Sequence, residues 1–333
     1  MVAPQWVKDG LARLVGGSGE HVIESPINYS TDLLLTQIGN QVDTIGRSPR
    51  RLQIVHAGAL IALCNALLQT NPETRKVYLA RAYGHGIEGD HADAFFDLDL
   101  YRKSGPLDGP YYNTQSAIFY LSGDYTGAIK SANTLIGRNP DSANGYLLRA
   151  IALNALLKFV DAMGDVEEAL KLWPMDHFAL SVRSGTHIGL GQFDKALHDL
   201  EALMRDKPTF AQARVAYDNR AHVMNATGKM NAAIRLSESL LVLDPENLGA
   251  NVNLGESYRL IQYSHTAQNY YQRVLQFFHN LPEKTRQQED YINAITAERG
   301  LRLLGKRISS YIEDAAIRKG IIPVEITSFK LNA

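Results

Sequence analysis

Residues 109–142 read GPYYNTQSAIFYLSGDYTGAIKSANTLIGRNPDS. Tyr112, Phe119 and Leu135 are the large apolar residues, and Ser116 and Ala128 are small positions among them. Gly123-Asp124-Tyr125 interrupts the middle, and Asn139-Pro140-Asp141-Ser142 closes the stretch. A glycine at such a break can end one helix in a left-handed conformation before the next begins. Proline cannot continue the second helix, and asparagine and aspartate favour turns. The stretch therefore predicts two antiparallel helices.

The closing proline is one of a ladder. Pro72, Pro106, Pro140, Pro174 and Pro208 stand 34 residues apart, which marks one structural unit copied several times. The copies run 75–108, 109–142, 143–176 and 177–210. A further copy, 214–247, ends at Pro245 after three extra residues, and 248–281 has His279 in the proline position. Two columns are constrained in size. The eighth holds Ala82, Ser116, Ala150, Ser184, Ala221 and Gly255, and the twentieth holds Ala94, Ala128, Ala162, Ala196, Ala233 and Ala267. Small residues fixed in a helical pattern mark crossings where two backbones come too close for a larger side chain.

With these columns, Leu254-Gly255-x-x-Tyr258 followed by Ala267 and Tyr271 resembles the tetratricopeptide repeat. The resemblance covers 75–281. It implies an all-α, right-handed solenoid of stacked antiparallel helix pairs, with helical caps at both ends. The expected organisation is an N-terminal amphipathic helix and flexible segment over 1–29 and a divergent hairpin over 30–74. Six repeats over 75–281, capping helices over 282–320 and an extended tail over 321–333 follow.

Composition narrows the function classes. A formal net charge of −1 argues against nonspecific nucleic-acid binding. Cys64 is the only cysteine, so an intramolecular disulfide and a cysteine-rich zinc site are both excluded, which fits a reducing, cytoplasmic location. No apolar run near the length of a membrane span is expected, nor a signal peptide.

Outside the repeats the reading is local. Pro4 to Val15 forms a short helix with Trp6, Val7, Leu11, Leu14 and Val15 on one side, before Gly16-Gly17-Ser18-Gly19. It is expected to cap the solenoid; the alternative is a peripheral anchor on a partner or membrane surface. A helix with the stripe Leu34, Ile38, Val42 and Ile45 ends at Gly46, and Ser48-Pro49 starts another that runs to about Gln69. In 143–176 the mid-turn glycine is absent, so a less sharp break is expected, with Met163-Gly164 loosening the second helix. A long helix over 283–304 and another over 306–319 follow. Beyond Pro323 the alternation of Val324, Ile326, Thr327, Phe329 and Leu331 favours an extended tail, frayed or laid in a groove of this or a neighbouring molecule.

His85, Glu88, Asp90, His91 and Asp93 form the one metal-like constellation. Its histidines fall in the eleventh and seventeenth columns, where other copies hold Phe119, Tyr258, Tyr125, Phe159 and Phe193. A packing role is therefore expected, with no metal and no cofactor; the alternative is a metal-binding or enzymatic protein centred on His85 and His91. No phosphate-binding glycine loop, nucleophile elbow or zinc-protease helix is present, so no enzyme is expected.

The resemblance implies that the first helix of each repeat lines a concave groove that binds partner polypeptides. The groove residues it implies are Tyr83, Asn113, Tyr120, Asn144, Asn154, Ser181, Asp218, Asn219, His222, Asn225, Glu256 and Arg259. A carboxamide offers both a donor and an acceptor to a peptide backbone, and tyrosine adds rigid apolar area. Tyr217-Asp218-Asn219-Arg220-Ala221 resembles a repeat of cochaperones that clamp a terminal carboxylate. The flanking cations of such a clamp are replaced by Ser181, Gly185, Gly249 and Asn253, so no clamp is expected. The partner is thus another protein or a peptide segment, with self-association as the alternative.

Overall fold

The computed structural model describes residues 37–42, 50–174, 176–205, 210–308 and 311–318. The expected helix over 4–15, the glycine hinge and the tail over 321–333 lie outside these residues. The described chain is all-α. Its helices are α1 (Arg50–Thr70), α2 (Lys76–Glu88), α3 (His91–Lys103), α4 (Gly109–Leu121), α5 (Tyr125–Arg138), α6 (Ala143–Ala155), α7 (Phe159–Leu172) and α8 (His177–Gly189). They continue as α9 (Phe193–Arg205), α10 (Phe210–Ala226), α11 (Met230–Leu243), α12 (Leu248–Leu260), α13 (Ser264–Asn280), α14 (Gln288–Leu303) and α15 (Tyr311–Arg318). Residues 37–42 are helical too, with Ile38 and Val42 fully buried and the Gln41 side chain donating to the His56 carbonyl at 3.1 Å.

Two compact units are present. One holds the described residues up to 155 together with 164–174, and the other holds 156–163 together with those from 176 onward. In the first, α1 to α6 pack each on the next, and α2 also packs on α4 and α4 on α6. In the second, α8 to α15 pack each on the next, with α8 on α10, α10 on α12 and α12 on α14. The even-numbered helices of each unit thus lie side by side as one layer. The inner face of such a layer is where a stacked-repeat protein presents its concave surface.

The small columns sit at the crossings. Ala82, Ser116, Ala150, Ser184 and Ala221 are fully buried, as are Ala94, Ala162, Ala196, Ala233 and Ala267. In one crossing the Ser116 hydroxyl donates to the carbonyl of Ala128 at 3.0 Å, eighth column to twentieth. The turns repeat as faithfully. Gly89, Gly123, Gly191 and Gly228 end their helices at φ of 80°, 83°, 69° and 76°, where a Cβ is unfavourable. Asp108, Asp176 and Asn247 follow the closing turns and cap the next helix, accepting from the backbone N–H of Tyr111, Ala179 and Ala250.

Four sequence expectations change. The 143–176 copy breaks as sharply as the others, because Leu157 itself takes φ 60°. Its side chain packs against the buried cluster of Phe278, Tyr291, Ile295 and Ile312, and that burial offsets the unfavourable backbone. Helix α7 also runs unbroken through Met163-Gly164. The long helix expected over 283–304 begins at Gln288, preceded by a 3-10 turn over Glu283–Thr285, because Gln287 and Asp290 form a capping box. Finally, α1 holds an 18-residue window, Gln53–Thr70, with mean hydropathy 1.3, long and apolar enough by composition to cross a membrane. Its Ala57, Leu60, Cys64 and Leu67 are fully buried at spacings of three and four, and α1 packs on α2, the pattern of a core helix.

Polar struts cross the layers at a fixed register. Arg81 grips Asp97 with Nη2–Oδ1 at 2.6 Å, Arg149 grips Asp165 at 2.6 Å and Arg183 grips Asp199 at 2.7 Å. Each pair joins the seventh residue of a copy to its twenty-third. Arg81 and Arg149 also donate to Asn65 and Asn133 of the preceding helix pair, each at 2.7 Å. In the 109–142 copy Gln115 and Ser131 take the two positions at 3.0 Å. A planar guanidinium with five donors can bridge three helices in this way; an ammonium cannot match the geometry.

Candidate functional site: the inner helix faces

In the first unit the residues of interest lie on α2, α4 and α6. Tyr83 is fully buried, which corrects its expected place on the groove surface. It sits in α2 beside Gly84, which Ile61 and Ala57 of α1 press closely, so this part of α2 is core. Asn113 and Tyr120 of α4 and Asn144 and Asn154 of α6 are half-buried. The Tyr120 ring rests on Tyr125 with centroids 5.4 Å apart, and burial raises its hydroxyl pKa well above the usual tyrosine value. It therefore stays protonated.

In the second unit the residues lie on α8, α10 and α12. Ser181 of α8, Asp218, Asn219 and Asn225 of α10, and Glu256 and Arg259 of α12 are half-buried, and His222 of α10 is exposed. Several of these are already bonded to each other. The Asn253 amide donates to the Asp218 carboxylate at 2.7 Å and to the Asp218 carbonyl at 3.1 Å. Asn225 donates to the Asn253 carbonyl at 2.9 Å and accepts from Ser257 at 2.6 Å. Glu256 accepts from Tyr271 at 2.6 Å on one oxygen and from Arg259 at 2.7 Å on the other. Asn225 therefore spends a donor and an acceptor as a strut between α10 and α12. Asn253 and Ser257 complete this network and were not among the sequence-derived candidates. The signal was available, since Asn219 and Asn253 are 34 residues apart in the sixth column.

Two of the positions where a carboxylate clamp would need cations, Gly249 and Asn253, close around Asp218 instead. A Cβ on Gly249 would lie 1.9 Å from the Asp218 carboxylate. Burial pushes the Asp218 carboxyl up to about 6, with Arg214 and the Asn253 hydrogen bond opposing. An acid with a raised folded pKa binds more protons when folded, so its stabilising contribution is present below pH ~4 and lost as pH rises through about 6. Asp218→Asn keeps an acceptor for Asn253 and removes the charge. Its stability relative to the parent is expected to improve by about 1–3 kcal/mol between pH 4.5 and 7.5. Urea melts of both proteins at the two pH values measure this; a constant difference would contradict it.

No protein-family model matches the chain. The repeat register and the layered helices make this a tetratricopeptide-repeat protein in fold. The chain is similar to a tetratricopeptide repeat protein from Parabacteroides merdae, at TM-score 0.56 and 15% identity over 83% of this chain and 99% of that one. It is also similar to the APC/C hetero-tetramer Cut9–Hcn1, at TM-score 0.61 and 16% identity over 88% of this chain and 57% of that one. In sequence it is 27% identical over 128 residues to mouse serine/threonine-protein phosphatase 5, covering 37% of this chain and 26% of the phosphatase. The human phosphatase is 29% identical over 121 residues. The chain spans about a quarter of the length of these curated relatives. The matched part is the repeat region and leaves out the phosphatase domain.

Proposed function

We propose that this protein is a non-catalytic adaptor whose inner helix faces hold an extended or helical segment of another protein. Tetratricopeptide repeats are in general protein–protein interaction modules. The observation that carries the reading is the pair of half-buried carboxamides of Asn113 on α4 and Asn144 on α6, with the half-buried Tyr120 on α4 as well. These two helices pack directly on each other, so the amides belong to one continuous layer. A donor–acceptor pair with a tyrosine in the same layer fits a peptide backbone without dictating its side chains. A cytoplasmic location accompanies the proposal. Burial pushes the Cys64 thiol up to about 12, so it is an inert core residue suited to a reducing compartment.

The α10–α12 amides have a different place in this reading, because Asn225 and Asn253 hold the helices together. The test is therefore made on α4 and α6. Peptides are selected from a displayed library on the intact protein, then measured against Asn113→Ala combined with Asn144→Ala. Micromolar binding corresponds to about −8 kcal/mol, and loss of two groove amides is expected to weaken it about tenfold or more. The melting temperature of the variant should stay within about 2 °C of the parent. Unchanged affinity at unchanged stability would overturn the groove assignment.

A further inference from the structure

Two copies of the repeat carry a histidine in the eleventh column, and the chain thereby contains its own comparison. In the 177–210 copy, His187 has Nε2 3.8 Å from Asp199 and Nδ1 2.9 Å from the Gln192 side chain. Asp199 is in turn held by Arg183. In the 75–108 copy, His85 has Nε2 3.9 Å from Asp97, which is held by Arg81. The turns agree as well. The N–H of Gln192 bonds the His187 carbonyl at 2.8 Å, and that of Asp90 bonds the His85 carbonyl at 2.9 Å. Gly191 and Gly89, at φ 69° and 80°, precede these two residues.

The difference lies in the residues of the turn around the imidazole. Around His187 the fourteenth and sixteenth residues are Leu190 and Gln192; around His85 they are Glu88 and Asp90. The His85 Nδ1 is buried and has no hydrogen-bond partner. One ligand atom each from His85, Glu88 and Asp90 falls within 4.8 Å of the others. The Glu88 carboxylate is backed by α1, where a Cβ on Gly58 would stand 3.0 Å from its Oε1. His91 and Asp93, the other members of the sequence constellation, are not part of this group.

We propose that His85, Glu88 and Asp90 form a divalent-cation site, with zinc its best-matched occupant. One imidazole and two carboxylates are suitable ligands for Zn²⁺ at about 2.0–2.2 Å, water completing the shell. Tetrahedral ligands at that radius stand roughly 3.4 Å apart, so small side-chain rotations close the triangle. The His85 Nε2 faces Asp97, the carboxylate–histidine arrangement that orients a ligating imidazole, and Arg81 fixes that carboxylate. The site lies at the end of α2 and the start of α3. An ion there pins the α2–α3 turn.

The sequence comparison supplies the test. Glu88→Leu with Asp90→Gln installs the residues that already surround His187, so the fold has a working precedent for the variant. The intact chain is freed of metal with a chelator and titrated with zinc chloride by calorimetry, and with Co²⁺ by visible absorption. The parent is expected to bind one equivalent more than the variant, with affinity at that site lowered by at least roughly a hundredfold. Asp90→Asn alone, should the double variant fold poorly, is expected to weaken the site at least about tenfold. Equal stoichiometry and affinity in parent and variants would overturn the proposal. So would the absence of binding in the parent.

Discussion

Gly300→Ala is expected to destabilise the protein by about 2–4 kcal/mol, at or above the usual cost of overpacking a core. A Cβ there would stand 2.3 to 2.7 Å from three carbons of the Tyr271 ring. The ring cannot retreat. A Cβ on Gly255 would meet it at 2.5 Å, so both glycines are in van der Waals contact with it already. Its hydroxyl is fixed on Glu256 at 2.6 Å, and the side chain is fully buried. A methyl at 300 must therefore push α14 away from its packing on α12 and α13. Gly164→Ala makes the same chemical change where nothing lies within 4 Å, in the exposed middle of α7. There it should stabilise by about 0.5–1 kcal/mol through helix propensity. Denaturant melts of the two variants should move in opposite directions; a loss of equal size in both would mean Tyr271 is not confined as described.

Arg183→Ala should cost a comparable amount, about 2–4 kcal/mol. The Asp199 it leaves behind is only 2% exposed and retains the solvent-exposed His198 at 3.8 Å and His187 at 3.8 Å, the latter an imidazole whose pKa burial lowers. A buried carboxylate stripped of its bidentate guanidinium is the costly species, more than the lost pair itself. Arg183→Met combined with Asp199→Leu should therefore recover most of the loss. Chemical denaturation of the single and double variants distinguishes the two accounts. A double variant as unstable as the single one would mean that the guanidinium matters through its packing. The recurrence of the pair at Arg81–Asp97 and Arg149–Asp165 suggests a device that fixes helix register, since each binds the two helices of its copy at one relative height.

These features differ in how far the sequence disclosed them. The alternation of helices, their pairing and their crossings follow from the prolines, the mid-turn glycines and the small columns. Each of these acts through backbone sterics that depend on the residue alone, so periodicity suffices to read them. The arginine struts also had a periodic signal, in the seventh and twenty-third columns. Leu157 had none. A leucine at φ 60° is unfavourable locally and is held by Phe278, Tyr291 and Ile312, more than 120 residues away in the chain.

The inner faces divide in the same way. Column counting places Asn113, Asn144, Asn154, Asp218 and Asn225 on the first helices of their copies, and the structure finds them there. It could not tell a free carboxamide from a committed one. That distinction depends on whether a neighbouring copy brings a partner within about 3 Å, as Asn253 and Ser257 do for Asn225. Nor could it show that Tyr83 is buried, or that His85, Glu88 and Asp90 bring ligand atoms within 4.8 Å of one another. The sequence by itself determined the repeating helical hairpin, because a 34-residue period of backbone-breaking and small residues permits little else. Which polar groups are spent inside the stack was decided only by tertiary packing, because hydrogen bonds between copies depend on distances that one chain position does not encode.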